Sequence, residues 1–184
     1  MYLLRNFIVG GLALAALLLV GGRVAMAQAP DSAQINKVFS QAQTNAALLS
    51  NDAGILESYT RTSVGWETHA RQLEVIRGHV NALIGNVNKL SAMKDEGSPW
   101  QQDAIDRVTP LMQSMADHLT ATIEHLQSNQ NRIQMQPYRD FARGNQVLAD
   151  KTLAVIRDYV SYGKARATAD DLERKLGTPE QMSE

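Results

Sequence analysis

Residues 55–90 carry the sequence ILESYTRTSVGWETHARQLEVIRGHVNALIGNVNKL, which decides the fold. Its apolar residues, together with a few polar ones at equivalent positions, recur alternately every four and every three residues. This heptad pattern is sustained over the whole stretch, and we call its positions the seam of the helix. Such spacing places one apolar face along a long helix that packs against other helices. The residues of this face are Ile55, Tyr59, Thr62, Trp66, His69, Leu73, Ile76, Val80, Leu83, Val87 and Leu90.

Similar repeats lie on both sides of this stretch. A shorter one runs from Ile35 to Leu49 and is followed by the turn-like residues 50–54. Two more run from Ile105 to Ile133, after the N-cap pair Ser98-Pro99, and from Tyr138 to Tyr162. The sequence therefore predicts helices at about 31–49, 53–94, 99–135 and 138–164.

The tail predicts one further element. Thr168 and Asp171 have the spacing of a capping box, and Gly177 suits the end of a helix. A short C-terminal helix is expected at about 168–176.

Extra apolar residues flank the seams, at Ile84, Leu111, Ile123 and Ile156. Each stripe is therefore wider than the two positions per heptad that a two-stranded coiled coil buries, which favours a helical bundle. Because short connections make neighbouring helices antiparallel, we expect an all-α, antiparallel up-down bundle. It has four helices, three long and one shorter at the N-terminus, plus the short C-terminal helix.

In two antiparallel helices, residues equally far from the connecting turn lie side by side, at one level of the bundle. Counting residues from each turn therefore predicts which residues meet. Trp66 is expected beside Asn129 across the turn near Gly97, whereas Asn129 meets Asn145 and Thr122 meets Thr152 across the turn near Pro137. Polar core residues are costly unless they find partners at their own level. The resulting polar layer is a candidate site for a small ligand, and it comprises Trp66, His69, Thr122, Asn129, Asn145 and Thr152. The alternative is a hydrogen-bonded layer that only fixes the alignment.

The shorter first helix suggests a second site. The same counting places its Phe39 near Trp66 and its Ile35 near His69, so that it covers only half of the core. Unless the C-terminal helix folds over the other half, that half presents an apolar face for self-association or for a partner protein. Its expected contact residues are Met112, Met115, Tyr159 and Tyr162.

No catalytic residue, cofactor or metal site is predicted. The chain has no cysteine, no Glu-x-x-His repeat, no glycine-rich phosphate loop and no nucleophile with a positioned base. His118 and His125 lie about 10 Å apart along their helix, too far to chelate one ion unaided, and are expected as solvated surface residues. A metal-handling role through them is a weaker hypothesis.

The first residues have the parts of a secretory signal peptide. Arg5 precedes an uncharged apolar run over residues 7–20, and Ala25-Met26-Ala27 supplies a small-residue cleavage site. We expect residues 1–27 to be removed and residues 28–184 to form one exported domain, periplasmic or extracellular. An uncleaved anchor is the alternative, although the run is shorter than the roughly 20 residues of a spanning helix.

Charge limits the partners. The chain has 18 basic and 19 acidic residues, and removal of Arg5 and Arg23 with the leader makes it more acidic. Nothing there attracts nucleic acid, and no membrane span is expected after cleavage. The expected function is a non-enzymatic interaction or scaffold module of the bacterial cell envelope. The alternative is a periplasmic bundle that binds or senses a small ligand or metal around His69.

Overall fold

The computed structural model describes residues 30–177, so the predicted leader at 1–27 lies outside the described residues. Within them the chain is helical and has no strand, which confirms the all-α prediction. Short 3-10 turns lie at Lys94–Glu96 and Gln130–Arg132. The four α-helices are α1 (Ala33–Tyr59), α2 (Trp66–Ala92), α3 (Pro99–Ser128) and α4 (Gln136–Leu176).

Each helix packs against two others, in the cyclic order α1, α2, α3, α4, and together they enclose one core. The residues that build this core recur every three or four positions, so each helix turns one continuous face inward. In α1 the central positions of that face are the fully buried alanines Ala42, Ala46 and Ala53. Small side chains there let α1 approach its neighbours closely.

Helix α1 is longer than predicted. The turn expected at residues 50–54 is wrong, because α1 continues through it to Tyr59 and the chain turns at residues 60–65 instead. The single helix expected at about 53–94 is wrong for the same reason, because residues 53–59 belong to α1 and α2 begins at Trp66. Ala53 and Leu56 are both fully buried, so the apolar face continues past Leu49 without a break. Burial of these two side chains outweighs the weak helix propensity of the Ser-Asn-Asp segment.

Helix α1 also lies at a different position along the other helices than the sequence predicted. Ile35 lies beside Gly97, where a Cβ atom would come within 2.9 Å of its Cδ1, and Phe39 lines a cleft with Trp100. The predicted neighbours, Trp66 for Phe39 and His69 for Ile35, were therefore wrong. Because α1 runs the full length of the core, it covers the half that was expected to be open.

The separate C-terminal helix was also a wrong prediction. Helix α4 is continuous from Gln136 to Leu176, and the Thr168 hydroxyl donates to the carbonyl of Lys164 at 3.0 Å, one turn earlier in the same helix. Thr168 thus bonds back into a helix rather than capping a new one. No glycine or proline lies between Lys164 and Thr168 to end α4 there.

The neighbours predicted across the turn near Gly97 lie close to those observed, and the neighbours predicted across the turn near Pro137 are wrong. Trp66 and Leu126 line one cleft, close to the predicted alignment of α2 with α3. Between α3 and α4 the alignment is shifted by one heptad, because Asn145 meets Thr122 rather than Asn129. The connection occupies residues 129–135 and buries Ile133, so it ends before Pro137.

Substitution at Asn51 tests the continuity of α1. Asn51 is exposed within α1, so Asn51→Pro should lower the free energy of unfolding by about 3 kcal/mol, since proline removes a helical hydrogen bond and clashes with the preceding turn. Asn51→Ala, at the same position, should change it by less than about 0.5 kcal/mol. Urea unfolding measures both. Equal stability of the two variants would mean that the chain turns at residues 50–54 after all.

Candidate functional site

His69 is fully buried among aromatic rings. Its Nδ1 shares a hydrogen bond of 3.1 Å with the Tyr138 hydroxyl, and the rings of Tyr138 and Tyr59 lie edge-on to it at 5.1 and 5.7 Å. Burial lowers the pKa of His69 and raises the pKa of the Tyr138 phenol. The pair is therefore neutral near pH 7, and the Nε2 atom of His69 has no hydrogen-bond partner.

A second polar level lies between α3 and α4. The Asn145 amide donates to Thr122 Oγ1 at 2.7 Å and to the Phe141 carbonyl at 3.0 Å, while Thr122 donates to the His118 carbonyl at 2.7 Å. Asn145 and Thr122 are fully buried, and Asn145 Oδ1 has no partner. Asn145 lies seven residues beyond Tyr138, which separates the two levels by about 10 Å.

The structure does not bring the other predicted ligand residues into this layer. Asn129 is the C-cap of α3 and donates to the His125 carbonyl, and Thr152 donates to the Leu148 carbonyl of its own helix. Trp66 is half-buried and lines a cleft of about 220 Å³ near one end of the bundle. The polar layer expected from six residues is thus two separate pairs, His69 with Tyr138 and Thr122 with Asn145.

His118 and His125 pack against α4. The ring of His125 lies 4.8 Å from that of Phe141, and His118 Nε2 lies 3.0 Å from the Phe141 carbonyl. Both side chains are half-buried rather than solvated, so the expectation of surface histidines was wrong. Among residues 30–177 no group of three His, Cys, Asp or Glu side chains could hold a metal ion.

The predicted partner residues are divided between core and surface. Met112 and Met115 are buried in the core that the four helices enclose. Tyr159 is half-buried and donates to Asp103 Oδ2 at 2.5 Å; burial, reinforced by this carboxylate, raises its pKa to about 12. Tyr162 is exposed. Only the two tyrosines remain available to a partner.

These tyrosines belong to a group that we call the aromatic corner: Trp100, Tyr159 and Tyr162. Trp100 stacks edge-on against Tyr162 at 5.3 Å, and its Nε1 donates to Asp31 at 2.7 Å. Trp100 can cross α4 because residue 163 is glycine, where a Cβ would lie 2.8 Å from the indole. Sequence reasoning missed Trp100, since it lies off the seam of its helix.

A groove of about 570 Å³ runs between α3 and α4 beside this corner. Its lining combines apolar or aromatic side chains with charged ones. The former are Pro110, Leu111, Val155 and Tyr159, and the latter are Asp106, Arg107, Lys151 and Asp158.

Comparison of the chain with protein families, curated proteins and solved structures finds no match. Within residues 30–177, no helix is both long and apolar enough to cross a membrane.

The outward face of α4 carries more than half of the large hydrophobic residues that are exposed in the described part of the chain. Of the seven large hydrophobic residues exposed within the described chain, four lie on it: Val147 (59% exposed), Tyr162 (46%), Leu172 (51%) and Leu176 (78%). They belong to a row spaced by three or four residues, which occupies one side of a helix. We call this row the outer stripe: Val147, Lys151, Ala154, Asp158, Tyr162, Ala165, Ala169, Leu172 and Leu176.

The neutral buried His69 makes stability depend on pH. Its pKa in the folded protein lies below the usual histidine value of 6.5, so the unfolded chain gains a proton first as the pH falls. We therefore expect the free energy of unfolding of the wild type to decrease from pH 7 to pH 5. The decrease should be smaller for His69→Gln, which has no imidazole at this position to protonate. Denaturant unfolding at each pH measures the difference, in which the contributions of the unchanged carboxylates cancel. Identical pH profiles would contradict a neutral buried His69.

Proposed function

We propose that this chain is an exported, non-enzymatic helical-bundle protein that acts as an interaction or scaffold module of the bacterial cell envelope. The observation that carries the proposal is the outward side of α4, where the groove, the aromatic corner and the outer stripe adjoin. A surface that gathers exposed aromatic and apolar side chains between charged ones is typical of a protein-binding face.

The residue types on this side support the proposal. Tryptophan, tyrosine and arginine dominate the binding energy of protein interfaces, and Trp100, Tyr162 and Arg166 lie together here. The Arg166 guanidinium lies 5.9 Å from the centre of the Tyr162 ring, and its Nε lies 3.7 Å from Asp31 Oδ2. These contacts hold the side chains of Arg166 and Tyr162 in place. An ordered aromatic group loses little conformational entropy on binding, so more of the contact energy contributes to affinity.

We further propose that the four helices form an antiparallel up-down bundle. Contacts between neighbours support it, because residue numbers rise in one helix as they fall in the next. Between α3 and α4, Thr122 contacts Asn145 while the earlier Asp103 contacts the later Tyr159. Asn45 with Asn86 and Asp52 with His79 give the same order between α1 and α2.

Export is proposed from the leader alone. Arg5, the apolar run at 7–20 and the alanines around Met26 support cleavage after Ala27 and release into the periplasm or beyond.

A second candidate function is ligand sensing around His69. Two fully buried atoms without partners, His69 Nε2 and Asn145 Oδ1, favour it, since unsatisfied buried polar groups are costly. A ligand would reach them only if the bundle opened. Native mass spectrometry of the exported protein distinguishes the two candidates: mass retained by the wild type and lost in His69→Leu would favour sensing.

Site-specific photo-crosslinking tests the interaction proposal. A photoreactive amino acid replaces Leu111 in the groove, and in a matched control it replaces Asn81, an exposed residue of α2. In the exporting host, position 111 should give a defined protein adduct, either with another protein or with a second copy, and position 81 should not. Equal adduct patterns at both positions, or none at either, would contradict the proposal.

A further inference from the structure

The last part of α4 is helical although little packs on it. From Thr168 to Leu176 every side chain except Asp171 is exposed, including the two leucines of the outer stripe. Ion pairs of Asp171 with Arg174 and Lys175 stabilise this segment only slightly. Short helices without tertiary packing are marginal in water, so an apolar partner surface would account for its order.

The spacing of the outer stripe fits a second copy of itself. Val147 and Leu176 lie at nearly equal distances on either side of Tyr162. When two α4 helices run antiparallel about a two-fold axis at Tyr162, Val147 of one copy therefore meets Leu176 of the other. The two Tyr162 side chains meet at the axis, and the exposed leucines of each copy lie against the body of the other bundle.

Charges beside the stripe match in the same alignment. Lys151 then lies beside Glu173 of the second copy, and Asp158 lies beside Arg166 of the second copy. Both Lys151 and Glu173 are exposed, and within residues 30–177 neither takes part in an ion pair. Opposite charges around an apolar centre are the usual arrangement of a specific interface.

We propose that a second copy of this chain docks antiparallel along the outer stripe, with Tyr162 at the two-fold axis. This inference rests on the proposed interaction function and names its partner. Such a two-fold contact is closed and self-complementary, because each surface patch meets its own copy. The stripe offers fewer residues than the roughly 20–30 per side of a standard interface, so the dissociation constant is expected to be micromolar.

A charge exchange tests the alignment. Sedimentation equilibrium of the exported chain, from about 1 to about 500 µM, should show a monomer–dimer equilibrium. Lys151→Glu and Glu173→Lys should each weaken dimerisation at least about tenfold, because like charges then face each other. The double variant should restore it. Within one copy these residues lie about 33 Å apart along α4, so restoration requires a second copy.

Lys89→Glu, an equal change on the exposed side of α2, is the control and should leave dimerisation unchanged. Circular dichroism verifies that each variant is folded. A monomer at every concentration, a dimer indifferent to both single changes, or a double variant that stays weakened would each overturn the inference. If position 111 crosslinks to a different protein while the purified chain is monomeric, this inference fails and the interaction function stands.

Discussion

Burial of α1 along its whole length is the constraint on which the rest of the structure depends. The chain has no cysteine, so packing alone holds the bundle together. The alanine-rich centre of α1 brings the helix close to α2 and α4, and Leu49 and Leu56 fill the space towards its end. With α1 in place, the four helices enclose one core that contains Met112 and Met115, and four of the seven exposed large hydrophobic residues of the described chain lie on α4.

The sequence allowed the all-α class and four packed helices to be predicted, because heptad spacing is a direct consequence of helical geometry. It wrongly joined residues 55–90 into one helix, because the apolar spacing runs without a break across the turn at residues 60–65. It misplaced the end of α1, since Ser50-Asn51-Asp52-Ala53-Gly54 has the local composition of a turn. Only tertiary burial of Ala53 and Leu56 decides between turn and helix there. Local propensity is a weak guide where a buried face continues through it.

The alignment of α3 with α4 shows a second limit. A shift of one helix by a whole heptad keeps apolar residues opposite apolar residues, so the heptad pattern alone does not fix the alignment of α3 with α4. The length of the connection fixes it, and burial of Ile133 in that connection was not visible in the repeat. As a result Asn145 finds Thr122, and the six-residue polar layer becomes two pairs. Trp100 was missed because it lies off the apolar face of its own helix, and the glycine that admits it, Gly163, lies on another helix.

The interior and the exterior of the bundle have different roles in this account. His69 with Tyr138 and Thr122 with Asn145 are buried, neutral and mostly hydrogen-bonded, as expected of pairs that fix alignment. The groove, the aromatic corner and the outer stripe are accessible and combine apolar, aromatic and charged groups, as expected of a surface that binds a protein.

The most direct test of this division uses the absence of cysteine, which lets a single introduced thiol report on its own surroundings. Met115→Cys and Val147→Cys would be labelled with a maleimide at about 1 µM or below, where a micromolar dimer dissociates. We expect the thiol at 147 to react as fast as in the unfolded chain and the thiol at 115 to be strongly protected until denaturant is added. Rapid labelling at 115 in the folded protein would contradict the closure of the core by α1.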